Sequence, residues 1–189
     1  MKRCDWCGDD PLYIDYHDTE WGSPLRDEQS MFEFLLLEGA QAGLAWITIL
    51  RKREGYRLAF DGFDVQTVAG YSDAQLTDKL QDARIVRNRL KVFAARTNAQ
   101  ATLKLYEAGT TLLDYFWGFV DGQAIQNSWR SMAEVPATTP LSETISKDLK
   151  KRGFTFVGPT IVYAHMQATG MVNDHIVGCP RHAECAALA

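Results

Sequence analysis

The stretch Leu35-Leu36-Leu37-Glu38-Gly39-Ala40-Gln41-Ala42-Gly43-Leu44-Ala45-Trp46 is the one around which the chain is organised. Apolar side chains recur at the i, i+3, i+4 spacing of one helix face and also fill the other faces, as Met31, Phe32, Phe34, Leu35, Leu36 and Leu37 show. This pattern predicts a helix that is buried on all sides. Glu38 is the i+7 member of that face, and a carboxyl group among such neighbours is costly unless it is hydrogen-bonded, ion-paired or protonated.

Two interpretations of Glu38 remain open on this stretch alone. It is either a core glutamate satisfied by backbone donors or a nearby arginine, or an acid kept for function. The small residues that follow, from Gly39 to Gly43, allow a sharp turn, and Trp46 comes directly after them. This combination predicts a place where a planar group can approach Glu38.

Length and composition limit the class of protein. The chain has 189 residues, of which 46% are hydrophobic, enough for one large domain or two small ones. It has no apolar run long enough to cross a membrane, and its first residues, Met1 to Asp5, do not resemble a secretory signal, so we expect a cytoplasmic protein. The net charge of -4 argues against non-specific coating of DNA but leaves room for a local basic face.

The remaining pattern predicts an all-α fold. We expect Asp27 to cap a helix over about 28–41, and a helix from Trp46 to end in the basic cluster 51–53, with Gly55 as its stop signal. Residues 1–26 and 121–138 are expected to be irregular, and the strand-like alternation at 154–157 is too short to build a sheet. Further helices are expected after Asp64 and Ser72 and over about 89–108, 112–120, 140–153 and 159–168.

Cysteines and histidines near both ends of the chain could bind a metal ion. His175 and Cys179 lie four residues apart, so that one helical turn would direct both side chains the same way, and Cys4 and His17 supply a second pair. Two thiolates and two imidazoles form a closed tetrahedral zinc site of the structural type. A rival set combines Cys4 and Cys7 with Cys179 and either Cys185 or His182, and spacing leaves both sets open.

Several long sequence blocks resemble the bacterial 3-methyladenine DNA glycosylase I family, and the resemblance covers nearly the whole chain. The blocks are Asp10-Pro11-Leu12-Tyr13, Tyr16-His17-Asp18, Glu20-Trp21-Gly22, Leu37 to Leu44 with Trp46, Lys150 to Phe154, Phe156-Val157-Gly158 and Met171-Val172-Asn173-Asp174-His175.

The resemblance implies an all-α, helix-hairpin-helix DNA glycosylase fold. It implies one glycosylase unit over residues 1–189, with a helical core at about 27–170 and zinc-binding ends at about 1–26 and 171–185. The structural Zn²⁺ ligands carried over from the family are Cys4, His17, His175 and Cys179, with Cys7 as the most plausible replacement.

The implied activity is removal of 3-methyladenine from alkylated double-stranded DNA by hydrolysis of the N-glycosidic bond, without lyase activity. The base is cationic while attached to deoxyribose, so a flipped base suits an aromatic pocket with a carboxylate. Glu38 is the candidate catalytic residue. The candidate base-binding residues are Tyr16, Trp46, Tyr13, Trp6 and Trp21.

The resemblance also implies contacts with DNA. The candidates are Gln41, Leu44, Arg84, Arg87 and Lys151, where Gln41 and Leu44 would fill the gap left by the flipped nucleotide. Family members usually have glycine where this chain has Arg84. The expected partners are alkylated DNA and free 3-methyladenine as product, with no membrane and a monomeric chain.

Two other classes of protein fit the same residues. The chain lacks an evident catalytic aspartate, as does the family, so a zinc-stabilised module that binds DNA damage without turnover is one alternative. A protein that binds purine-like cations as small molecules is the other, and it predicts no response to DNA.

Overall fold

The computed structural model describes residues 2–188, so Met1 and Ala189 of the expected unit lie outside it. The helices are α1 (Pro11–Thr19), α2 (Glu28–Gln41), α3 (Trp46–Leu50), α4 (Arg53–Ala59), α5 (Val65–Ala69), α6 (Asp73–Lys79), α7 (Arg89–Glu107), α8 (Leu112–Gly118), α9 (Pro140–Lys151), α10 (Pro159–Ala168) and α11 (Pro180–Leu188). Short 3₁₀ turns occupy Asp5–Cys7, Asp61–Phe63 and Met132–Glu134. Two-residue strands, β1 (Ile125–Gln126) and β2 (Val172–Asn173), pair in parallel. The all-α prediction is confirmed.

Helix α2 is the centre of the fold. Every residue from Met31 to Ala40 is buried, and α3, α7, α8 and α10 all pack against it. Asp27 caps the helix as predicted, since its carboxylate accepts a hydrogen bond from the backbone N–H of Ser30 at 2.8 Å. The central helix therefore carries Glu38 into the interior. Among the described helices, none combines the length and apolar character needed to span a bilayer.

Other predicted helix starts are also confirmed by their caps. Asp64 accepts a hydrogen bond from the N–H of Thr67, and Ser72 forms a reciprocal capping box with Gln75. Thr139 caps α9, which has Pro140 in its first turn. These starts were predictable because each cap uses side chains within three residues of the helix end.

Two local predictions were wrong. The N-terminal segment is not irregular, because α1 begins at Pro11 and the Asp10 carboxylate accepts a hydrogen bond from the Leu12 N–H at 3.0 Å. Gly55 does not stop a helix but lies inside α4. A Cβ atom at Gly55 would lie 2.6 Å from Arg84, so this glycine allows α4 to approach the 82–88 segment closely.

The segment 121–138 is more ordered than the expected surface loop. It contributes β1, the 3₁₀ turn at Met132–Glu134 and four side chains that pack against the core, Ala124, Trp129, Met132 and Val135. The alternation at 154–157 forms no strand, as expected, whereas the β1–β2 pair was not predicted. This pairing brings the segment next to the chain that carries Asp174 and His175.

Candidate active site

The four cysteine and histidine side chains implied by the resemblance meet in one place. Cys4, His17, His175 and Cys179 are buried, and their ligand atoms lie within 4.8 Å of one another. Cys4 Sγ lies 3.6 Å from His175 Nδ1, and Cys179 Sγ lies 3.6 Å from His17 Nε2 and 3.8 Å from His175 Nδ1. Tetrahedral zinc–ligand distances place neighbouring ligand atoms about 3.3–3.8 Å apart. These three distances therefore match the spacing of ligand atoms around a four-coordinate metal ion.

The outer nitrogens of both imidazoles are also held in place. His17 Nδ1 donates to the Asp18 carboxylate at 2.8 Å, and His175 Nε2 donates to the Trp21 carbonyl at 2.9 Å. These contacts fix the tautomers that point His17 Nε2 and His175 Nδ1 at the cluster. Burial also lowers the pKa of both imidazoles, which favours the neutral form that binds metal.

The rival ligand set does not form. Cys7 Sγ donates to the Cys4 carbonyl at 3.2 Å, and His182 Nε2 contacts the Asn127 carbonyl at 2.8 Å. His175 and Cys179 are brought together by turns and not by the expected helical turn, because the chain from 174 to 179 is not helical.

Beside this cluster lies a cavity of about 210 Å³. Side chains from α1, α2, α3, α10 and the 3₁₀ turns at Asp5–Cys7 and Met132–Glu134 enclose it, together with Trp21, which follows α1. Its lining consists of Trp6, Tyr13, Tyr16, Trp21, Glu38, Gln41, Trp46, Met132, Ala164 and Gln167. All six residues that were predicted to touch the base are therefore in one pocket, together with Gln41.

Glu38 is the only acidic side chain of the lining among the described residues. It is 4% exposed, and no group within residues 2–188 forms a hydrogen bond with its Oε2 atom. Burial in these apolar surroundings raises the pKa of Glu38 to about 8. The Glu38 carboxyl group therefore holds its proton more tightly than an ordinary glutamate does.

The aromatic residues surround the carboxyl group as a set of rings packed at an angle. Trp6 lies 5.0 Å from both Tyr13 and Trp21, and Tyr16 lies 5.6 Å from Trp46, measured between ring centroids. The indole Nε1 atoms of Trp6 and Trp46 find no hydrogen-bond partner within residues 2–188. Because buried polar atoms are normally paired, three such atoms in the lining of one cavity mark a site built for a ligand.

Three lining residues, Met132, Ala164 and Gln167, were not predicted from the sequence. Met132 comes from the segment 121–138, which was expected to lie on the surface. Ala164 and Gln167 lie one turn apart on α10. The local sequence carries no signal for them, because their position depends on how α10 packs against α2.

The turn after α2 is held by a lysine from α7. Lys91 Nζ donates to the carbonyls of Ala40 and Ala42 at 2.7 and 2.6 Å, which neutralises the C-terminal end of the helix. Leu44 is 39% exposed at this turn, while Gln41 reaches the pocket. The two residues predicted to enter the DNA thus border the pocket entrance and the adjoining surface.

The remaining predicted DNA contacts lie outside the pocket lining. Arg84 is exposed and pairs with Asp82 at 2.8 Å, while Arg87 is exposed just before α7. Lys151 lies in a separate groove between α8 and α9, beside Lys147 and Arg152. The structure therefore does not gather these three cations with the base pocket.

Comparison with known proteins places this arrangement in a family. The family model for methyladenine glycosylase matches residues 6–182. DNA-3-methyladenine glycosylase 1 of Escherichia coli (strain K12) is 49% identical over 179 residues, which cover 95% of this chain and 96% of the relative.

Solved structures agree with the sequence match. A crystal structure of a 3-methyladenine DNA glycosylase I that is 49% identical superposes with a TM-score of 0.93, over 95% of this chain and 98% of the other. A Y16F variant of a 3-methyladenine DNA glycosylase I, solved in complex with 3-methyladenine, is 33% identical with a TM-score of 0.92 and covers 95% and 97% of the two chains. The chain belongs to the methyladenine glycosylase family.

Proposed function

We propose that this chain removes 3-methyladenine from alkylated double-stranded DNA by hydrolysing the N-glycosidic bond, which leaves an abasic site. As a family member the chain is a glycosylase and hence a hydrolase. The observation that carries the proposed substrate is the unpaired carboxyl of Glu38 in a ring-lined cavity. The names of the relatives, one of them solved with 3-methyladenine bound, support the same base.

The pocket suits a flat, positively charged base. Once flipped out of the duplex, the base stacks on Trp46 and Tyr16, and each stacked base contributes about 1–3 kcal/mol. Glu38 loses its proton to solvent as the cation enters and accepts an N–H from the adenine edge. A neutral, unmethylated adenine lacks the charge that makes this ionisation favourable, so we expect it to bind more weakly.

The reaction itself needs little acid catalysis. The bond between the sugar C1′ and the base nitrogen breaks, and its electron pair neutralises the methylated base, which makes that base a good leaving group. A water oxygen then forms the new bond to C1′ and gives its proton to solvent. In this scheme Glu38 acts first in recognition, and no lysine forms a covalent intermediate.

Incubation of methylated double-stranded DNA with excess protein tests the function. We expect release of free 3-methyladenine, detected by chromatography, and a strong loss of release with Glu38→Gln. Glu54→Gln, which changes an exposed glutamate away from the pocket, serves as the matched control. Binding of the DNA without release would support the damage-binding module instead, and binding of the free base with no response to DNA would support the small-molecule binder.

We further propose that Cys4, His17, His175 and Cys179 hold a structural Zn²⁺. The ion would join the N-terminal 3₁₀ turn and α1 to the chain that follows β2. Bound to two thiolates and two imidazoles, zinc supplies no open position for chemistry. The residues that surround the base then keep their positions because both ends of the chain are fixed.

Metal content and stability test the zinc proposal together. We expect Cys179→Ser to lose bound zinc, measured by atomic absorption, and to lose stability on the order of several kcal/mol. Cys7→Ser, at a buried cysteine outside the quartet, should keep its zinc. A Cys179→Ser protein that retains stoichiometric zinc, or that stays as stable as the parent, would contradict the assignment.

We propose that the chain acts as a monomeric single unit with the helix-hairpin-helix arrangement, in which the 82–88 segment before α7 approaches the DNA backbone. Asn88 caps α7, Arg87 and Arg84 are exposed beside it, and the first backbone amides of α7 can contact phosphate. Gln41 and Leu44 would fill the space left by the flipped nucleotide, and Lys151 would add a distant phosphate contact. Since Arg84 pairs with Asp82, its contribution to DNA binding is expected to be small.

A further inference from the structure

A second buried carboxylate lies behind the wall of the base pocket. Asp174 is fully buried and accepts four side-chain hydrogen bonds. Asn127 Nδ2 and Trp129 Nε1 donate to its Oδ1 at 2.7 and 2.8 Å, while Tyr163 Oη and Gln167 Nε2 donate to its Oδ2 at 2.5 and 2.7 Å. All four donors are neutral, and each carboxylate oxygen accepts two of these hydrogen bonds.

One of these donors, Gln167, faces the base pocket directly. Its side chain belongs to the pocket lining, one turn from Ala164 on α10. The carboxamide has two chemically different ends, a donor NH₂ and an acceptor oxygen. Because Asp174 can only accept, it selects the NH₂ end of Gln167 and leaves the oxygen, Oε1, outside that contact, on a residue that lines the cavity.

We propose that Gln167 is a specificity-determining residue whose Oε1 atom accepts a hydrogen bond from the exocyclic amino group of the base, with Asp174 as the residue that sets its orientation. This inference rests on the proposed function and deepens it. An exocyclic amino group carries two N–H bonds and can satisfy two acceptors, Glu38 and Gln167. A base with a carbonyl oxygen at the same position would meet the Gln167 oxygen with no donor of its own there.

The other donors to Asp174 have a different position. Asn127 and Trp129 belong to the segment after β1 and are absent from the pocket lining of the described chain. Trp129→Phe therefore keeps an aromatic side chain but removes one hydrogen bond to the Asp174 carboxylate. The hydrogen bond from Gln167 to Asp174 is left in place. Trp129→Phe is the matched control for Asp174→Asn and Gln167→Met.

The test compares two free bases on the full chain. The probes are 3-methyladenine and 3-methylhypoxanthine, in which oxygen replaces the exocyclic amino group, and binding is followed through the fluorescence of the pocket tryptophans. Gln167→Met should weaken 3-methyladenine binding about tenfold with little change for 3-methylhypoxanthine, so the selectivity ratio falls about tenfold. Asp174→Asn should lower the ratio similarly, because an asparagine NH₂ lets the Gln167 amide reverse its ends.

A double substitution separates orientation from a general structural effect. Because Asp174 acts through Gln167, the Gln167→Met/Asp174→Asn chain should show the same ratio as Gln167→Met alone. Trp129→Phe should keep the ratio within about twofold of the parent. If Asp174→Asn fails to fold, Gln167→Met alone decides the role of Gln167.

Two results would overturn the inference, and they differ from failure of the proposed function. If the ratio of the affinities for 3-methyladenine and 3-methylhypoxanthine in Gln167→Met stays within twofold of the parent ratio, Gln167 does not select the base. A fall of the same size in Trp129→Phe means that the carboxylate acts through general packing. If the parent chain binds no 3-methyladenine at all, the proposed function itself fails, and this inference with it.

Discussion

Two glutamates on α2, Glu33 near its middle and Glu38 near its end, are both buried but have opposite surroundings. The Glu33 carboxylate accepts hydrogen bonds from Arg53 Nε at 2.5 Å and from Arg57 Nη2 at 2.9 Å. Glu38 faces the cavity, and no hydrogen-bond partner for its Oε2 is found within residues 2–188. The same helix thus holds one carboxylate whose charge is compensated and one carboxyl whose charge is not.

The difference shows which property of a buried acid points to function. Burial is nearly equal, since the two residues are 5% and 4% exposed. What differs is whether the protein itself supplies the partner. Glu33 joins α2 to α4 through arginines, and this is a structural role. Glu38 leaves its partner to be supplied by a ligand, and this is the arrangement expected of a binding site.

The largest expected effect is on stability and concerns Glu33, the glutamate whose charge is compensated by arginines. Glu33→Gln should lower the free energy of unfolding by about 3 kcal/mol, because it leaves the Arg53 guanidinium, whose side chain is 13% exposed, without its principal buried partner. Arg53 keeps its contact with Glu20, which limits the loss. Chemical denaturation monitored by circular dichroism measures this change.

Glu54 provides the control for that substitution. It pairs with the same Arg57, but its side chain is 74% exposed, so Glu54→Gln should change the stability by less than about 0.5 kcal/mol. Equal losses of stability in Glu33→Gln and Glu54→Gln would mean that burial of the ion pair has no consequence for stability. The structural role assigned to Glu33 would then be wrong.

A somewhat smaller effect is expected at Glu38, the glutamate without a compensating charge, and it concerns the affinity for 3-methyladenine. Glu38→Gln should weaken the affinity for 3-methyladenine by about 10- to 150-fold, the equivalent of about 1.5–3 kcal/mol for a hydrogen bond to a charged group. Titration calorimetry measures both variants under the same conditions. Glu33→Gln, if folded, should bind the base as the parent does. An equal loss of affinity in Glu33→Gln and Glu38→Gln would mean that the two glutamates do not differ in function.

The smallest effect is a pH dependence of stability at Glu38. Its folded pKa of about 8 exceeds the ordinary value of 4.5, so the folded state holds the proton more tightly than the unfolded state. Stability contributed by this group is therefore lost as the pH rises towards 8. Between pH 7 and pH 8 the parent should lose about 1 kcal/mol relative to Glu38→Gln. Parallel stability curves for the two chains over this range would show that Glu38 is not protonated in the empty pocket.

Sequence patterns predicted the local parts of this architecture well. Asp27, Asp64 and Ser72 cap the helices that follow them, as expected, because a cap depends on residues that are close in the chain. The apolar surroundings of Glu38 were also predictable from the sequence, since the residues from Met31 to Leu37 are apolar apart from Glu33. The role of Glu33 could not be predicted from the sequence, because its partners Arg53 and Arg57 come from another helix.

The candidate site was only partly accessible to sequence reasoning. Spacing left two metal-ligand sets open, and the family resemblance singled out the quartet that the fold brings together. Met132 and Gln167 were missed because they reach the pocket through the packing of the 121–138 segment and of α10. Helix α1 was missed because aromatic residues at its buried face obscured the helical pattern behind Asp10 and Pro11.

The charge state of Glu38 with and without the base tests most directly whether the bound base supplies the partner of this buried carboxyl group. A ¹³C NMR titration of the Glu38 carboxyl carbon should show a midpoint near pH 8 in the free protein, and saturation with 3-methyladenine, whose exocyclic N–H donates to the ionised carboxylate, should lower that midpoint. A carboxyl group that titrates near 4.5 in the free protein, or a midpoint that stays in place when the base is bound, would contradict the claim that Glu38 is held without a partner until a base supplies the hydrogen-bond donor.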